Sequence, residues 1–541
     1  MSNNISLDSQ EEEKEEPFSN FRVTNNPNKK KRLILIIIVI LVILIISFIA
    51  IYYFFFNSEE NEPDTFNEIN LKYEVNNTYN NIKLFDATVV NIMNSIESMS
   101  INDEGVKPVD KYKFNEAGIY NIKIKLSNNL NSLGSLFKNC VNLIEVDLSK
   151  FDFSKISNLS NLFFSCSSLI KVNGLNSINT NKVTDMSFLF YGCTSLRNID
   201  LSSFATSSVI SMKSMFSFSS LTELNLDNFD TSKVTNMEGL FDSCTSLTSI
   251  NLKYFNTENV QSMSKMFNGC ISLESLDISN FRTNNVVDLS FMFNSCHKLK
   301  SINLENFDTA KVKSMNQMFR DCSSLTSINL ENFKTEQNED MYQMFSGCNS
   351  LEYLNIFNFK TSKITNMFKL FDGCFSLKSL NLENFDTSNV ITMSGMFNQC
   401  SSLTSLDLKY FNFSKIISLD NMFNNCSSLA SIEFNTNMKN EHNIASINYM
   451  DNMFKSCKKL SSINFGNLNL SMVSNINSLF EDCSSMNNIN LNYFDTSNVE
   501  FYDNLFKGIN SEGTISYKSS IFDEKILKDL PITWTKNDIN K

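Results

Sequence analysis

The sequence predicts a repeat solenoid: a stack of about 15 coils with a parallel β-sheet and short helical turns, preceded by one transmembrane helix. Cysteine gives the first indication, because the eight cysteines from Cys244 to Cys426 follow one another at intervals of 26 residues. Phenylalanine gives the second, since a Phe stands three residues before every cysteine and also occurs as Phe216 and Phe506 in two units without one. A residue that recurs once per unit belongs to the unit, so each repeat adds one coil. Equivalent positions of successive coils then form a row.

Within one unit, the segment 247–252 (L-T-S-I-N-L) alternates, which predicts a strand with Ile250 and Leu252 inward and Asn251 outward. The following F-D-T-S-K-V pattern is typical of a turn. The next pattern, V-x-x-M-x-x-M-F-x-x-C, has apolar spacing near three, which predicts a short extended piece and then a helical or 3₁₀ turn. Asn338 interrupts the apolar Val row, so we expect its coil to be locally distorted.

The thirteen cysteines are predicted to be buried, free thiols. No C-x-x-C pair is present, so the local spacing of a zinc site or a thioredoxin-like centre is missing. Stacked inward side chains keep their Cβ atoms about 4.8 Å apart, whereas a disulfide requires about 3.5 to 4.5 Å.

The two ends of the chain predict the domain organisation. The apolar run begins at Leu33 and ends at Phe56, is long enough to cross a bilayer, and is the predicted contact with a membrane. Basic residues precede it and acidic residues follow it, which predicts a single-pass membrane protein with a cytoplasmic N terminus and extracellular or luminal repeats. The predicted parts are a disordered cytoplasmic tail (1–32), the transmembrane helix (33–56), a tether (57–70), a β-rich N-terminal cap (71–129), the repeats (130–509) and a C-terminal cap (510–541).

Composition predicts a binding protein without catalytic function. The chain has no nucleophile, zinc-protease or phosphate-loop motif, and it contains only 13 Gly and 2 His, so we expect no enzyme, no cofactor and no metal. The net charge of −12 argues against nucleic acid as a partner. A protein or a glycan stays possible, and the oligomeric state is open.

The outward positions of the predicted sheet give the candidate ligand face, a regular array of amides and carboxylates. Its residues are Asn303, Glu305, Asn329, Glu331, Asn355, Asn381 and Glu383. The alternative is that stacked amides only satisfy one another. Candidate N-glycosylation sites are Asn76, Asn158, Asn412 and Asn469.

The pattern L-x-x-L-N-L-x-N-F-D-T-S-x-V-x-x-M-x-x-M-F-x-x-C runs from Leu377 to Cys400. It resembles the 26-residue repeat of bacterial and protist surface proteins, a BspA-like class of leucine-rich repeat, over roughly residues 130 to 509. The resemblance implies a leucine-rich-repeat-like solenoid and a membrane-anchored surface protein whose ectodomain binds or adheres to an unknown ligand. The alternative function is a passive surface coat or spacer.

Overall fold

The computed structural model describes residues 27–56, 67–434, 447–466 and 468–540. The chain divides into two compact units, Met1–Thr65 and Phe66–Lys541. In the first unit the described element is one helix, α1, Pro27–Phe56. The predicted tail, up to residue 26, and residues 57–66 of the predicted tether lie outside the described residues.

The structure contradicts the predicted membrane topology. A crossing needs about 20 consecutive apolar residues. Across the part of the chain that the structure describes, none of the helices has the length and apolarity required to span a membrane. The predicted single-pass arrangement, with the N terminus cytoplasmic and the repeats extracellular or luminal, is therefore wrong.

The second unit begins with a six-stranded sheet in the order β4-β3-β6-β1-β7-β8. Its strands are β1 (Asn67–Val75), β3 (Ile96–Ile101), β4 (Glu104–Val106), β6 (Gly118–Leu126), β7 (Leu143–Lys150) and β8 (Lys171–Asn173). The strands β2 (Ile82–Lys83) and β5 (Lys111–Tyr112) form a separate pair, and the short helix α2 is Ile92–Ser95. Pairing is antiparallel from β4 through β7, whereas β7 and β8 are parallel. The chain therefore changes at β7 from hairpin-like pairing to stacking of successive coils.

A parallel β-solenoid of about 14 turns follows, close to the predicted number of about 15. After a 3₁₀ helix (Leu175–Ser177), its strands are β9 (Ser327–Asn329), β10 (Tyr353–Asn355), β11 (Ser405–Leu408), β12 (Ser431–Phe434), β13 (Ser462–Asn464) and β14 (Asn488–Leu491). They lie on the predicted L-x-x-L-x-L segments and pair in parallel, as Ile328 does with Leu354. The predicted sheet is nevertheless discontinuous, because β9–β10, β11–β12 and β13–β14 belong to separate sheets.

A longer ladder of parallel β-bridges runs along another side of the coils. We call it the bridge ladder; its residues stand directly before the first Met of each unit, or before the residue that replaces that Met. Each coil contributes one bridging residue, as in the series Ser262, Asp288 and Ser314. The ladder stays one residue wide because the side chain of the bridging residue often turns the backbone. The Asp288 carboxylate, for example, accepts the Ser290 N–H at 2.9 Å.

One junction of this ladder lacks the bridge, and it is the junction next to Asn338. Bridges connect Ser314 to Asp340 and Asn366 to Thr392, whereas Asp340 and Asn366 are not bridged. Asn338 is fully buried where other coils have an apolar side chain. Its amide nitrogen donates to the Asp340 carbonyl at 3.1 Å, and its amide oxygen accepts the Met315 N–H at 3.3 Å. The missing bridge in the coil of Asn338 agrees with the predicted distortion, and the buried amide obtains the polar partners that burial requires at the junction with the preceding coil.

The M-F-x-x-C segments form successive tight turns with hydrogen bonds between residues three apart, where the sequence predicts a helical or 3₁₀ turn. Hydrogen bonds such as Met318 N to Met315 O and Cys322 N to Phe319 O span three residues. A left-handed residue, such as Gln317 (φ 52) or Asp321 (φ 56), occupies the third position of each turn and prevents a continuous helix.

The core consists of continuous apolar rows. Phe319 stacks between Phe293 and Phe345, with ring centroids 5.6 and 5.8 Å away. All thirteen cysteines are buried free thiols, as predicted. Each thiol from Cys166 onward donates to the carbonyl of a core Phe, as Cys322 Sγ does to Phe293 O at 3.1 Å. Burial raises the pKa of Cys322 to about 12, which keeps the thiol protonated.

The C-terminal end continues the sheet of β13 and β14 with β15 (Thr514–Tyr517) and β16 (Thr535–Asp538). Between them, a 3₁₀ helix (Glu524–Asp529) ends before Pro531. The Trp534 ring is buried, and its indole N–H donates to the Asn510 carbonyl at 2.8 Å. That residues 510–541 cap the array, as an open solenoid end requires, stays a prediction.

Candidate functional site: the strand face

The strand face is the outward side of the L-x-x-L-x-L segments and of the two residues that follow them. In β10 the alternation is strict: Leu354 is buried, while Tyr353 and Asn355 are exposed. All seven residues of the predicted ligand face lie here and are exposed. The repeat places the four asparagines in one row and the three glutamates in another, two residues further along each coil. The predicted ligand face therefore consists of two parallel rows, here called the asparagine row and the glutamate row.

The asparagine row shapes the backbone. The Asn303 amide oxygen accepts the Glu305 N–H at 3.0 Å, and Asn329 makes the same 3.0 Å bond to Glu331. Asn355 and Asn381 repeat this contact with the residues two positions later. The amide oxygens of these four residues thus bond within their own coils and do not satisfy one another.

A second asparagine row, which the sequence reasoning missed, links neighbouring coils. The Asn332 side chain donates to the Glu305 carbonyl at 3.1 Å, and Asn358 donates to the Glu331 carbonyl at 3.1 Å. Asn384 donates to the Phe357 carbonyl at 2.8 Å. The recurrent N-F pair after each strand was the available signal. The backbone beneath the glutamate row is therefore held by two sets of hydrogen bonds, one from the asparagine row of the same coil and one from the second asparagine row of the following coil.

The glutamate row carries unpaired negative charge. Among the residues that the structure describes, Glu305, Glu331 and Glu383 have no basic partner within ion-pair distance. The row changes sign at Lys409, whose ammonium group pairs with Asp407 at 2.8 Å. Exposed carboxylates at successive coils repel one another, and this repulsion persists unless cations approach.

Two exposed aromatic side chains interrupt the polar rows in a single coil. Tyr353 occupies a row that is Ser in the neighbouring coils, and 59% of its surface is exposed. Phe357 occupies the glutamate row between Glu331 and Glu383 and is 44% exposed. The sequence reasoning missed both, although comparing the rows position by position would have identified them as exceptions.

A lysine of the following coil lies over one of these rings. The Lys378 ammonium is 5.2 Å from the Tyr353 ring centroid and 2.6 Å from the Glu352 carboxylate. The hydrogen bond with Glu352 raises the pKa of Lys378. A cation can therefore lie against this aromatic surface.

The predicted glycosylation sites differ in how their side chains are used. Asn76 is exposed after β1. Asn158, Asn412 and Asn469 are half-buried, and their amide oxygens accept backbone N–H groups two residues later. Within the described residues, no group of three or more His, Cys, Asp or Glu side chains is placed to hold a metal ion.

The coil geometry defines a leucine-rich-repeat solenoid with an asparagine-stabilised strand face. The repeats match the family described as "Mycoplasma protein of unknown function, DUF285" at residues 131–252, 236–354, 339–440 and 430–514. The chain belongs to this family, and its 26-residue repeat is of the BspA-like leucine-rich type. No curated protein sequence matches the chain significantly.

Three solved structures are similar to the chain. A leucine-rich repeat protein from Bacteroides ovatus ATCC 8483 has 17% identity and a TM-score of 0.38, with 80% of this chain and 90% of that chain covered. TLR13 in a complex with ssRNA13 has 14% identity and a TM-score of 0.20, with coverages of 76% and 73%. The mouse RP105/MD-1 complex has 15% identity and a TM-score of 0.23, with coverages of 65% and 64%.

Proposed function

We propose that the protein is a binding module that engages a protein ligand, and thereby acts in adhesion, through the strand face. The observation that carries this proposal is the coexistence of a rigid backbone with unsatisfied outward groups. Glu331, Phe357 and Glu383 stand side by side in one row, on coils fixed by cross-coil amide bonds. Ordered groups lose little conformational entropy when a ligand binds, which favours their use in recognition.

Exposed aromatic side chains favour a protein ligand. Tyr and Phe supply large contact area at binding interfaces, and charged residues are usual at the interface rim. Tyr353 and Phe357 lie near the middle of the predicted face, with polar rows continuing on both sides. A passive spacer has no need of this arrangement.

The test is site-specific photocrosslinking with the full chain. One variant carries p-benzoylphenylalanine in place of Asn329 on the strand face. The control variant carries it in place of Val287, which is exposed on the bridge-ladder side. Both variants are illuminated with a cell-surface extract. We expect a saturable crosslinked species from the Asn329 variant alone, reduced by unlabelled protein and lost when the extract is treated with protease beforehand.

Equal crosslinking at both positions, or at neither, would exclude a specific protein site on the strand face. A product that persists after protease treatment of the extract but is lost after glycosidase treatment of the extract would identify a glycan ligand and overturn the proposal.

A further inference from the structure

We infer that the strand face binds a cationic, arginine-bearing polypeptide segment, centred on Tyr353 and Phe357 and flanked by Glu331 and Glu383. This inference rests on the proposed function and specifies the chemistry of the partner. Tyr353 and Phe357 are four residues apart along one coil, on the same side as Asn355. Their exposure, 59% and 44%, leaves aromatic surface available in an otherwise polar region.

The charge around these rings is complementary to a cation. Glu331 precedes Phe357 by one coil and Glu383 follows it by one coil, so carboxylates lie on both sides of the exposed ring. Three bordering lysines are already paired with acids of the chain: Lys334 with Asp308 at 3.4 Å, Lys378 with Glu352 at 2.6 Å, and Lys409 with Asp407 at 2.8 Å. Lys360, three residues after Phe357, has no acidic partner within ion-pair distance among the described residues, but the two unpaired carboxylates of Glu331 and Glu383 leave the patch with a net negative charge.

Arginine suits this patch better than any other side chain. Its planar guanidinium group can stack on an aromatic ring and donate two hydrogen bonds to a carboxylate at once. The chain itself shows the simpler version of this contact, since the Lys378 ammonium lies 5.2 Å from the Tyr353 ring centroid. A partner cation would use the remaining ring surface or displace Lys378.

The coil spacing sets the spacing of the partner's charges. Glu331 and Glu383 are two coils apart, which corresponds to roughly 9.6 Å at the usual distance between strands. Three residues of an extended chain cover about 10 Å. An extended segment that runs across the coils would therefore meet the two carboxylates with arginines three positions apart and place an intervening residue near Phe357.

The experiment uses the full chain and a fluorescein-labelled peptide of repeating Arg-Ser-Ser, with peptides of repeating Glu-Ser-Ser and of Ser alone as references. Binding is followed by fluorescence anisotropy. We expect the Arg-Ser-Ser peptide to bind and the two reference peptides not to bind. Its affinity should decrease as the salt concentration is raised from about 0.05 to 0.3 M, because screening increases. Repeating Arg-Ser, with the wrong spacing, should bind more weakly.

Variants then locate the site. Glu331→Gln with Glu383→Gln should weaken binding on the order of tenfold, because two charge contacts are lost. Tyr353→Ser with Phe357→Ser should do the same by removing the aromatic surface. Lys378→Ser should strengthen binding, since it exposes the Tyr353 ring and removes a competing cation. The control, Ile391→Thr, changes an exposed residue on the bridge-ladder side.

The outcomes separate the two proposals. If no variant on the strand face alters arginine-peptide binding, or if Ile391→Thr weakens it equally, the attraction is general to an acidic protein and the inference is wrong. If the peptide fails to bind while crosslinking through Asn329 persists, the partner is a protein of other chemistry and only the proposed function stands. Phe357→Glu removes the ring and adds a carboxylate, so it separates the contribution of charge from that of the aromatic contact. Weaker binding of the arginine peptide would support the aromatic contact, and unchanged or stronger binding would overturn the aromatic contact.

Discussion

The bridge ladder and the strand face are built by the same repeat but differ in continuity and in composition. The ladder runs from Ser132 to Phe501 with one junction unbridged, whereas the strand face is divided into short sheets. Residues of the ladder often use their side chains on their own backbone, as Asp288 does. The strand face leaves Glu331, Tyr353 and Phe357 exposed.

This difference indicates that the two sides of each coil have different roles, one in stability and the other in binding. Hydrogen bonding along the ladder and the buried rows beneath it connect successive coils, so stability depends little on those strand-face side chains that make no bond to a neighbouring coil. Outward residues of the strand face can then differ from coil to coil without loss of the fold. Changes to the buried rows should therefore alter stability, and changes to the strand face should alter binding.

The largest effect is expected from the buried Phe row. Phe319→Ala removes a ring stacked on both sides and should destabilise the protein by about 3 to 5 kcal/mol. The same substitution at Phe357, on the strand face, should change stability by less than about 0.5 kcal/mol. Urea unfolding of both variants measures the difference. Similar losses would show that the strand face is as important to stability as the core.

The next largest effect is expected at Thr309, which lies in the chain between the strand face and the bridge ladder of its coil. The buried Thr309 hydroxyl accepts the Lys334 N–H at 2.8 Å and donates to the Lys334 carbonyl at 2.8 Å. Thr309→Val keeps the shape but leaves both backbone groups without this partner, at a cost of about 1 to 3 kcal/mol. Thr326→Val, at an exposed position of the strand face, is the control. An unchanged urea midpoint for Thr309→Val would contradict the role of this hydroxyl.

A smaller and pH-dependent effect is expected at Glu481. Its carboxylate is nearly buried and pairs with Lys455 at 2.7 Å and with Lys507 at 2.9 Å. The hydrogen bond from Lys455, joined by that from Lys507, lowers the pKa of Glu481 to about 2. Because the folded-state pKa lies below the ordinary value of 4.5, the stabilisation is present above pH 4.5 and is lost as the pH falls towards about 2.

Glu481→Gln should therefore cost about 1 to 2 kcal/mol at neutral pH, and its difference from the unsubstituted chain should shrink below pH 4.5. Glu331→Gln on the strand face removes an unpaired carboxylate and should cost nothing. Unfolding curves across this pH range check both. A cost for Glu481→Gln that is independent of pH would rule out the ion pairs as its source.

The smallest effect is a gain of stability at the unbridged junction. Asn338→Val restores the apolar row and removes a buried amide, which should stabilise the protein by about 1 kcal/mol. Protection of the Met341 and Thr365 amides from hydrogen exchange should increase if the missing bridge forms. Asn332→Val on the strand face should have the opposite sign, because that amide supports a neighbouring coil. A loss of stability in Asn338→Val would show that the amide fits its site better than an apolar group.

The site was only partly accessible from the sequence. Period and alternation placed Asn303 and Glu305 on an outward face, because side chains of a strand alternate between its two sides. They could not show that the Asn303 amide turns toward its own backbone or that Asn332 reaches the preceding coil, since these choices depend on side-chain rotamers and on the distance between coils. Tyr353 and Phe357 were visible as exceptions to their rows, but their exposure follows from the packing of their coil.

The sequence alone was sufficient to predict the repeat, the buried rows and the free thiols, because a 26-residue period with fixed apolar positions permits one way of stacking. It also predicted the distortion at Asn338, since a buried amide must find partners wherever the row places it. The side of the coil that carries the long ladder follows instead from the three-dimensional packing of the coils. The L-x-x-L-x-L segments have the pattern of strands, but pairing requires neighbouring coils to align in register, and the side chains that bond to the backbone elsewhere in each coil control that alignment.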